Sequence, residues 1–244
     1  MILENETLED LGLGDYKIIQ KKDGFKFGID AVLLANFVSP KRNEKGVDLG
    51  SGTGIIPTII AAKSSVSRIV GVEIQDEMTE MANRSAQINE LQERVHFVCA
   101  DIKKISDCLP KHQFDFVTSN PPYYKTDTIT SPNGMKNISR HELLVELSDI
   151  FVAANYLLKP QKSLYLIHKP ERLVELIELA RAQNLEPKEI QFIYPSADKP
   201  ANLILLKYVK NGRTGLKYRA PLFVYKNGNY SDEIQAIYAK KSLE

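Results

Sequence analysis

An α/β fold with a mostly parallel, seven-stranded sheet and helices on both faces is the architecture that this sequence predicts. Three observations point to it. Apolar, β-rich runs alternate with stretches of helical periodicity from residue 46 to about residue 184. A strand ending passes into a helix beginning through Val47-Asp48-Leu49-Gly50-Ser51-Gly52-Thr53-Gly54, with glycine at every second position after the acid. Later strands end on polar residues, Glu73, Asp101 and Asn120, and in open α/β sheets ligands gather at the carboxyl ends of strands.

The 244 residues suffice for one large domain, or for a domain of ordinary size with extensions at either end. We expect residues 1–45 to form an N-terminal extension with a hairpin and a short helix. Residues 46–210 are then the sheet domain, and residues 211–244 a C-terminal extension packed on it. A net charge of +1 gives no overall attraction to nucleic acid or membrane, so any basic footprint must be local. Cys99 and Cys108 form no C-x-x-C pair and suggest no disulfide framework, which fits a reducing cytosol; Cys99, in an apolar run, is expected in the core. The four histidines lack metal-ligand spacing, so no metal site is expected. No basic start leads into an apolar stretch and no run approaches ~18 apolar residues. A cytoplasmic protein without a membrane span is therefore expected, and its oligomeric state stays open.

In chain order, residues 1–15 are acidic, with no basic residue, and suggest a solvated lead-in. Residues 16–21 alternate weakly, Asp23-Gly24 is a hairpin signal, and Phe25-Lys26-Phe27 can return antiparallel. Residues 28–38 form a short buried helix closed by Pro40, with Asp30 near its start. The first parallel strand is 46–49 and its crossover helix 55–62. The second strand, 68–74, ends at Glu73-Ile74, where a carboxylate can accept both ribose hydroxyls of a nucleoside or simply serve as a cap. A long amphipathic helix over 76–91 has its Met78 and Met81 in the core. The third strand, 95–99, runs into Asp101-Ile102. Asp101 can take an adenine amine while the next backbone N–H meets the ring nitrogen, or it can cap the following turn.

The fourth strand, 114–119, carries the chemistry because it ends in Asn120-Pro121-Pro122-Tyr123-Tyr124. Two prolines stiffen that turn and remove two donors, which leaves its carbonyls free to accept. An Asn side-chain oxygen and a proline carbonyl can each take one N–H of an exocyclic amine, turning its lone pair toward an electrophile. The gain is positioning and charge stabilisation, with no strong base. Tyr123 and Tyr124 offer faces for a planar base or amide. Beyond lies the loop-like segment 125–137, a lid or a segment ordered only by ligand, and then Arg140 and His141, which can meet a phosphate or cap the helix through Phe151. A fifth strand over 163–168, a helix opened by Pro170, and strands over 190–194 and 203–209 complete the sheet. His168 at its strand end is expected to be satisfied locally. From Lys207 to Arg219 the chain has Lys207, Lys210, Arg213, Lys217 and Arg219, two tyrosines and no acid: a phosphate track or a solvated basic hairpin.

The glycine turn fails the dinucleotide fingerprint G-x-G-x-x-G, which would want glycine where Ile55 stands. It resembles instead the D-x-G-x-G-x-G signature of the class I S-adenosylmethionine (SAM) dependent methyltransferases, which are Rossmann-like. Together with Glu73, Asp101 and Asn120 to Tyr123, it resembles those that modify adenine N6, guanine N2 or protein glutamine. The patches 27–34, Ser139-Arg140-His141-Glu142, 221–225 and Asn229-Tyr230-Ser231 are similar to bacterial tRNA adenine-N6-methyltransferases that act on valine tRNA beside the anticodon. The resemblance implies SAM as cofactor, held by Asp48, Gly50, Ser51, Gly52, Gly54, Glu73, Ile74, Asp101, Ile102 and Asn120, with Gly28 and Asp30 lying over it. It implies Asn120, Pro121 and Tyr123 as catalytic residues, tRNA as partner, and Tyr123, Tyr124, Arg140, Arg213, Lys217 and Arg219 as substrate contacts. It implies too that the last two strands close the sheet as an antiparallel pair. Methylation of guanine N2 or of protein glutamine is the alternative, and a non-catalytic SAM or RNA binding module a third class.

Overall fold

The computed structural model describes residues 2–24, 28–123 and 145–239. Two strands, β1 (Glu6–Asp10) and β2 (Lys17–Lys21), pair antiparallel and precede α1 (Ile29–Phe37). The sheet domain then alternates β3 (Lys45–Leu49), α2 (Ile55–Lys63), β4 (Arg68–Glu73), α3 (Asp76–Ile88), β5 (Val95–Cys99) and β6 (Phe114–Ser119). After the segment that is not described come α4 (Leu147–Leu157), β7 (Leu158–His168), α5 (Leu173–Ala182), β8 (Leu185–Tyr194) and β9 (Leu203–Lys210). The tail adds four two-residue strands, β10 (Lys217–Tyr218), β11 (Leu222–Phe223), β12 (Tyr225–Lys226) and β13 (Asn229–Tyr230), then α6 (Asp232–Ala239).

The main sheet runs β10-β8-β9-β7-β6-β3-β4-β5, with β11 also on β8. Strands β3 to β7 are parallel, and β9 lies antiparallel between β7 and β8, the closing pair that the sequence implied. From β3 the chain moves outward through β4 and β5, then crosses back to β6 and β7 on the other side. The crevice between β3 and β6 is thus the switch point of the sheet. Seven long strands match the expectation; the two extra members are the short strands of the tail.

Alternation along each strand feeds two cores. Ile69, Phe116 and Tyr165 face α1, α2, α3 and the tail helix α6, whereas Val70, Val117 and Leu164 face α4 and α5. The first of these cores also takes Leu11, Leu13 and Ile18 from the N-terminal hairpin and Leu222, Val224 and Ile234 from the tail.

Two expectations are corrected. The acidic lead-in is a strand, β1, that pairs with β2 from the upstream side, while the return strand foreseen over residues 25–27 lies outside the described residues. Its acid Glu6 is buried, because Arg84 of α3 donates to both carboxylate oxygens at 2.7 and 2.6 Å and the Leu3 N–H adds a third bond at 2.8 Å. Cys99 is exposed, since it ends β5 at the edge of the sheet. Smaller differences concern boundaries: the long helix stops at Ile88, and β7 begins at Leu158 directly after α4.

The hairpin is held to α3 along its length. The Lys17 N–H and C=O both bond the Asn89 amide, the Ile19 N–H donates to Ser85 Oγ at 2.9 Å, and Lys21 pairs with Glu77. Hydrogen bonding to Arg84 holds the Glu6 carboxyl below its ordinary range. Its contribution is therefore complete above the unfolded glutamate range and lost as pH falls through the folded value. Glu6→Ala is expected to lower the unfolding free energy by about 2 kcal/mol at neutral pH. Denaturant titrations of wild type and variant should show that gap closing in acid.

Candidate active site

Four strand ends meet at the carboxyl edge of the sheet. The turn after β3 is bent by positive φ at Gly50 (74°) and Gly52 (53°), where a side chain would point into open space. Gly54 differs: its φ is 87°, but a Cβ there would lie 2.4 Å from the Phe97 ring, so this glycine lets α2 pack against β5.

The turn is held from below and from the side. Asp48 is completely buried and accepts from Ser51 Oγ and from Thr118 Oγ1, both at 2.6 Å. Burial pushes its carboxyl up to about 6, helped by the nearby charge of Glu73 and opposed by the two hydroxyls. Asp48 lines neither hollow, and its bonds to Ser51 and Thr118 shape the turn that borders both. Glu73 spans the next gap: one carboxylate oxygen accepts from the Gly52 N–H at 2.9 Å and the other from the Gln75 N–H at 3.0 Å.

Two hollows flank the turn. One, of about 110 Å³, is lined by Gly50, Glu73, Ile74, Ile102, Asn120 and Pro121 among others. The second, of about 180 Å³, has Gln20, Asp30, Gly50, Gly52, Met78 and Asn120 in its wall, along with Gly28 and Ser51. Gly50 and Asn120 belong to both. Met78, expected in the core, faces the second hollow, while Met81 is buried as expected. Asp101 sits beside the first hollow without lining it and caps the following turn of 3₁₀ helix, accepting from the Lys103 N–H at 2.9 Å.

The Asn-Pro-Pro-Tyr turn is tied to the N-terminal helix. Tyr123 Oη lies 2.7 Å from Asp30 Oδ2 and 2.9 Å from Asn120 Oδ1. Burial and the Asp30 carboxylate raise the phenol well above its ordinary range, so it stays protonated and can donate. The Tyr123 ring, foreseen as a stacking face, is already engaged. His168 packs against it edge-on with centroids 5.3 Å apart, and the Lys169 ammonium sits 5.1 Å from its centre. His168 is buried, its Nδ1 accepts the Lys169 N–H at 2.8 Å, and burial lowers its pKa to about 4. Its Nε2 has no partner among the described residues, so the expectation of a locally satisfied ring is half met.

The basic stretch is divided. Lys207 and Arg219 both pair with Glu189, at 3.0 and 2.6 Å, and Arg219 lies over the Phe37 ring. Lys210 is buried and donates to the carbonyls of Asn155 and Leu158. Arg213 lies beside Lys188, near the start of β8, and so toward the opposite edge of the sheet from Asn120. Tyr124, Arg140 and the segment 125–137 lie outside the described residues. Sequence reasoning missed Gln20, Thr53 and Gln75 in the two walls. Gln20 carries a signal in retrospect, a lone uncharged polar residue after the apolar pair Ile18-Ile19.

Among the described residues no group of three or more His, Cys, Asp and Glu side chains is placed to hold a metal, and no helix is long and apolar enough to cross a membrane. The profile of the methyltransferase small domain matches residues 22–170. The chain belongs to this methyltransferase family. A tRNA1(Val) (adenine(37)-N6)-methyltransferase of Parabacteroides distasonis is 25% identical over 224 residues, covering 91% of this chain and 92% of the relative. The fold is shared with a predicted O-methyltransferase from Agrobacterium tumefaciens, with a TM-score of 0.71, 24% identity, and coverage of 88% of this chain and 98% of that one. It is shared also with a geranyl diphosphate C-methyltransferase from Streptomyces coelicolor solved with S-adenosyl-L-homocysteine (TM-score 0.57, 14% identity, 74% and 77% covered).

Two outcomes are expected of this methyltransferase site. Between the ordinary aspartate value of 3.8 and about 6, folded Asp48 keeps a proton that the unfolded chain has released, so this group costs stability as pH rises through that window. Thermal melts should show Asp48→Asn gaining on wild type from pH 4 to pH 7; a constant difference would remove the buried charge as the cause. Tyr123→Phe leaves Asp30 without its hydroxyl donor and is expected to cost about 1 to 3 kcal/mol in chemical denaturation.

Proposed function

We infer that this protein transfers the methyl group of SAM to the exocyclic N6 amine of an adenine in tRNA, beside the anticodon. The observation that carries the reading is Asn120, whose side chain borders both hollows at the end of a proline-stiffened strand. The relative from Parabacteroides distasonis, named for adenine 37 of a valine tRNA, supports the choice of target over guanine N2 or glutamine.

The residues present fit the cofactor. Glu73 offers carboxylate oxygens beside the apolar Ile74 and Ile102, a setting for a ribose and a purine, and the bare backbone at Gly50 and Gly52 leaves room for the rest of the molecule. Asp101 and the Ile102 N–H are the proposed partners of the adenine edge. When bound, SAM supplies an electrophilic methyl group on a sulfonium. The chain's own work is done by Asn120 and Pro121, whose oxygens accept the two N–H bonds of the target amine and hold its lone pair toward the methyl group. One hydroxyl proton on Tyr123 serves two oxygens, and the carboxylate of Asp30 is the nearer. With the proton directed to Asp30, Asn120 Oδ1 is open to the substrate. No base is needed before transfer, since the amine nitrogen sheds its proton to water once it has become cationic.

Arg213 and Lys217 are exposed and have no ion-pair partner among the described residues. In this reading they are phosphate contacts along the flank of the sheet at β8, joined by Arg219 when it exchanges Glu189 for RNA. Tyr124 and Arg140 complete the substrate contacts.

Asn120→Ala is expected to lower turnover at least 100-fold while SAM affinity stays within about threefold, a loss of about 2.7 kcal/mol of transition-state stabilisation. The assay is transfer of labelled methyl to tRNA followed by nucleoside digestion. Label in N6-methyladenosine supports the reading, and label in N2-methylguanosine, in protein or nowhere overturns it.

A further inference from the structure

Gln20 is the one side chain in the wall of either hollow that is buried with a polar atom left unpaired among the described residues. It is 2% exposed, and its Oε1 has no hydrogen-bond partner. Leaving a buried acceptor unmet costs about 1 to 3 kcal/mol, and one whose residue borders a hollow can recover that cost when a ligand meets it. Nor is the residue free to swing away. It lies in β2 next to Ile19, whose N–H is bonded to Ser85 of α3, and the strand is paired to β1 on its other side.

The hollow it faces lies across the glycine turn from the one that contains Glu73 and Ile102. A nucleoside with its ribose on Glu73 therefore sends its 5′ substituent past Gly50 and Asn120, the residues common to both, into the hollow of Gln20. What arrives there in SAM is the amino-acid end. An amide oxygen only accepts, so of the two charged groups on that end it suits the ammonium and not the carboxylate. Asp30 stands in the same wall, each of its oxygens accepting one bond, from the Ala31 N–H at 3.0 Å and from Tyr123 Oη, and with lone pairs left it can share an ammonium held there. Gln20 Oε1 is the acceptor in that wall that is buried and has no bond at all among the described residues.

We propose that Gln20, carried by the N-terminal hairpin, is a cofactor-binding residue that accepts from the α-ammonium of the methionyl group. The assignment rests on the SAM reading above and deepens it. The hairpin thereby becomes part of the cofactor site, although the strand lies outside the main sheet.

The test is calorimetric titration of S-adenosylhomocysteine and of 5′-methylthioadenosine, which lacks the amino-acid end, into wild type and Gln20→Met. S-adenosylhomocysteine should bind the variant about tenfold more weakly, the equivalent of about 1.4 kcal/mol, while methylthioadenosine binds both proteins within twofold. Ligand-free Gln20→Met should melt no lower than wild type, because the substitution removes an unmet acceptor; a Gln20 that served only the fold would lower it. Should the methionine variant fail to fold, Gln20→Ala provides the same comparison. Equal affinity of wild type and variant for S-adenosylhomocysteine overturns the assignment, as does an equal loss for both ligands. A wild type that binds neither ligand overturns the SAM reading itself, so the two failures are told apart.

Discussion

A carboxylate held in the dry interior is the constraint on which the site depends. Asp48 joins Ser51, in the turn after the first sheet strand, to Thr118, two residues before Asn120 on the neighbouring strand. These strands bracket the point where the sheet reverses its order. Burying the acid costs enough to shift its protonation, and two short hydroxyl bonds offset part of that cost. In return the glycine turn and the acceptor strand keep a common register, and neither can tilt without breaking a bond to a buried oxygen.

Around that anchor the remaining contacts extend outward. Glu73 pins the turn from the neighbouring strand through the Gly52 N–H, and Tyr123 ties the proline turn to the first helix through Asp30. The helix α3, clamped to the hairpin on one side, presents Met78 to the hollow. The site is thus assembled from segments that are distant along the chain and that share few sequence neighbours.

That distribution explains what could be read from residues alone. Period-two runs such as 114–119 and the spacing of Gly50, Gly52 and Gly54 are local signals, and the parallel core and its glycine turn derive from them. The closing antiparallel pair came from resemblance. Pairings over long separations left no such trace. Glu6 finds Arg84 across 78 positions, Tyr123 finds Asp30 across 93, and Glu189 finds Arg219 across 30. The acidic start therefore resembled a solvated lead-in, and the basic stretch looked freer than it is. Gly54 belonged to the motif, yet only the position of Phe97 shows that its missing side chain makes room for a ring.

Shared walls also bear on how such a protein can diversify. Gly50 and Asn120 border both hollows, so a substitution at either reshapes two compartments together and leaves little room for gradual change. Positions that only one compartment uses, such as Met78 on one side or Val145 and Ile150 on the other, are where new selectivity can accumulate through single, independent steps.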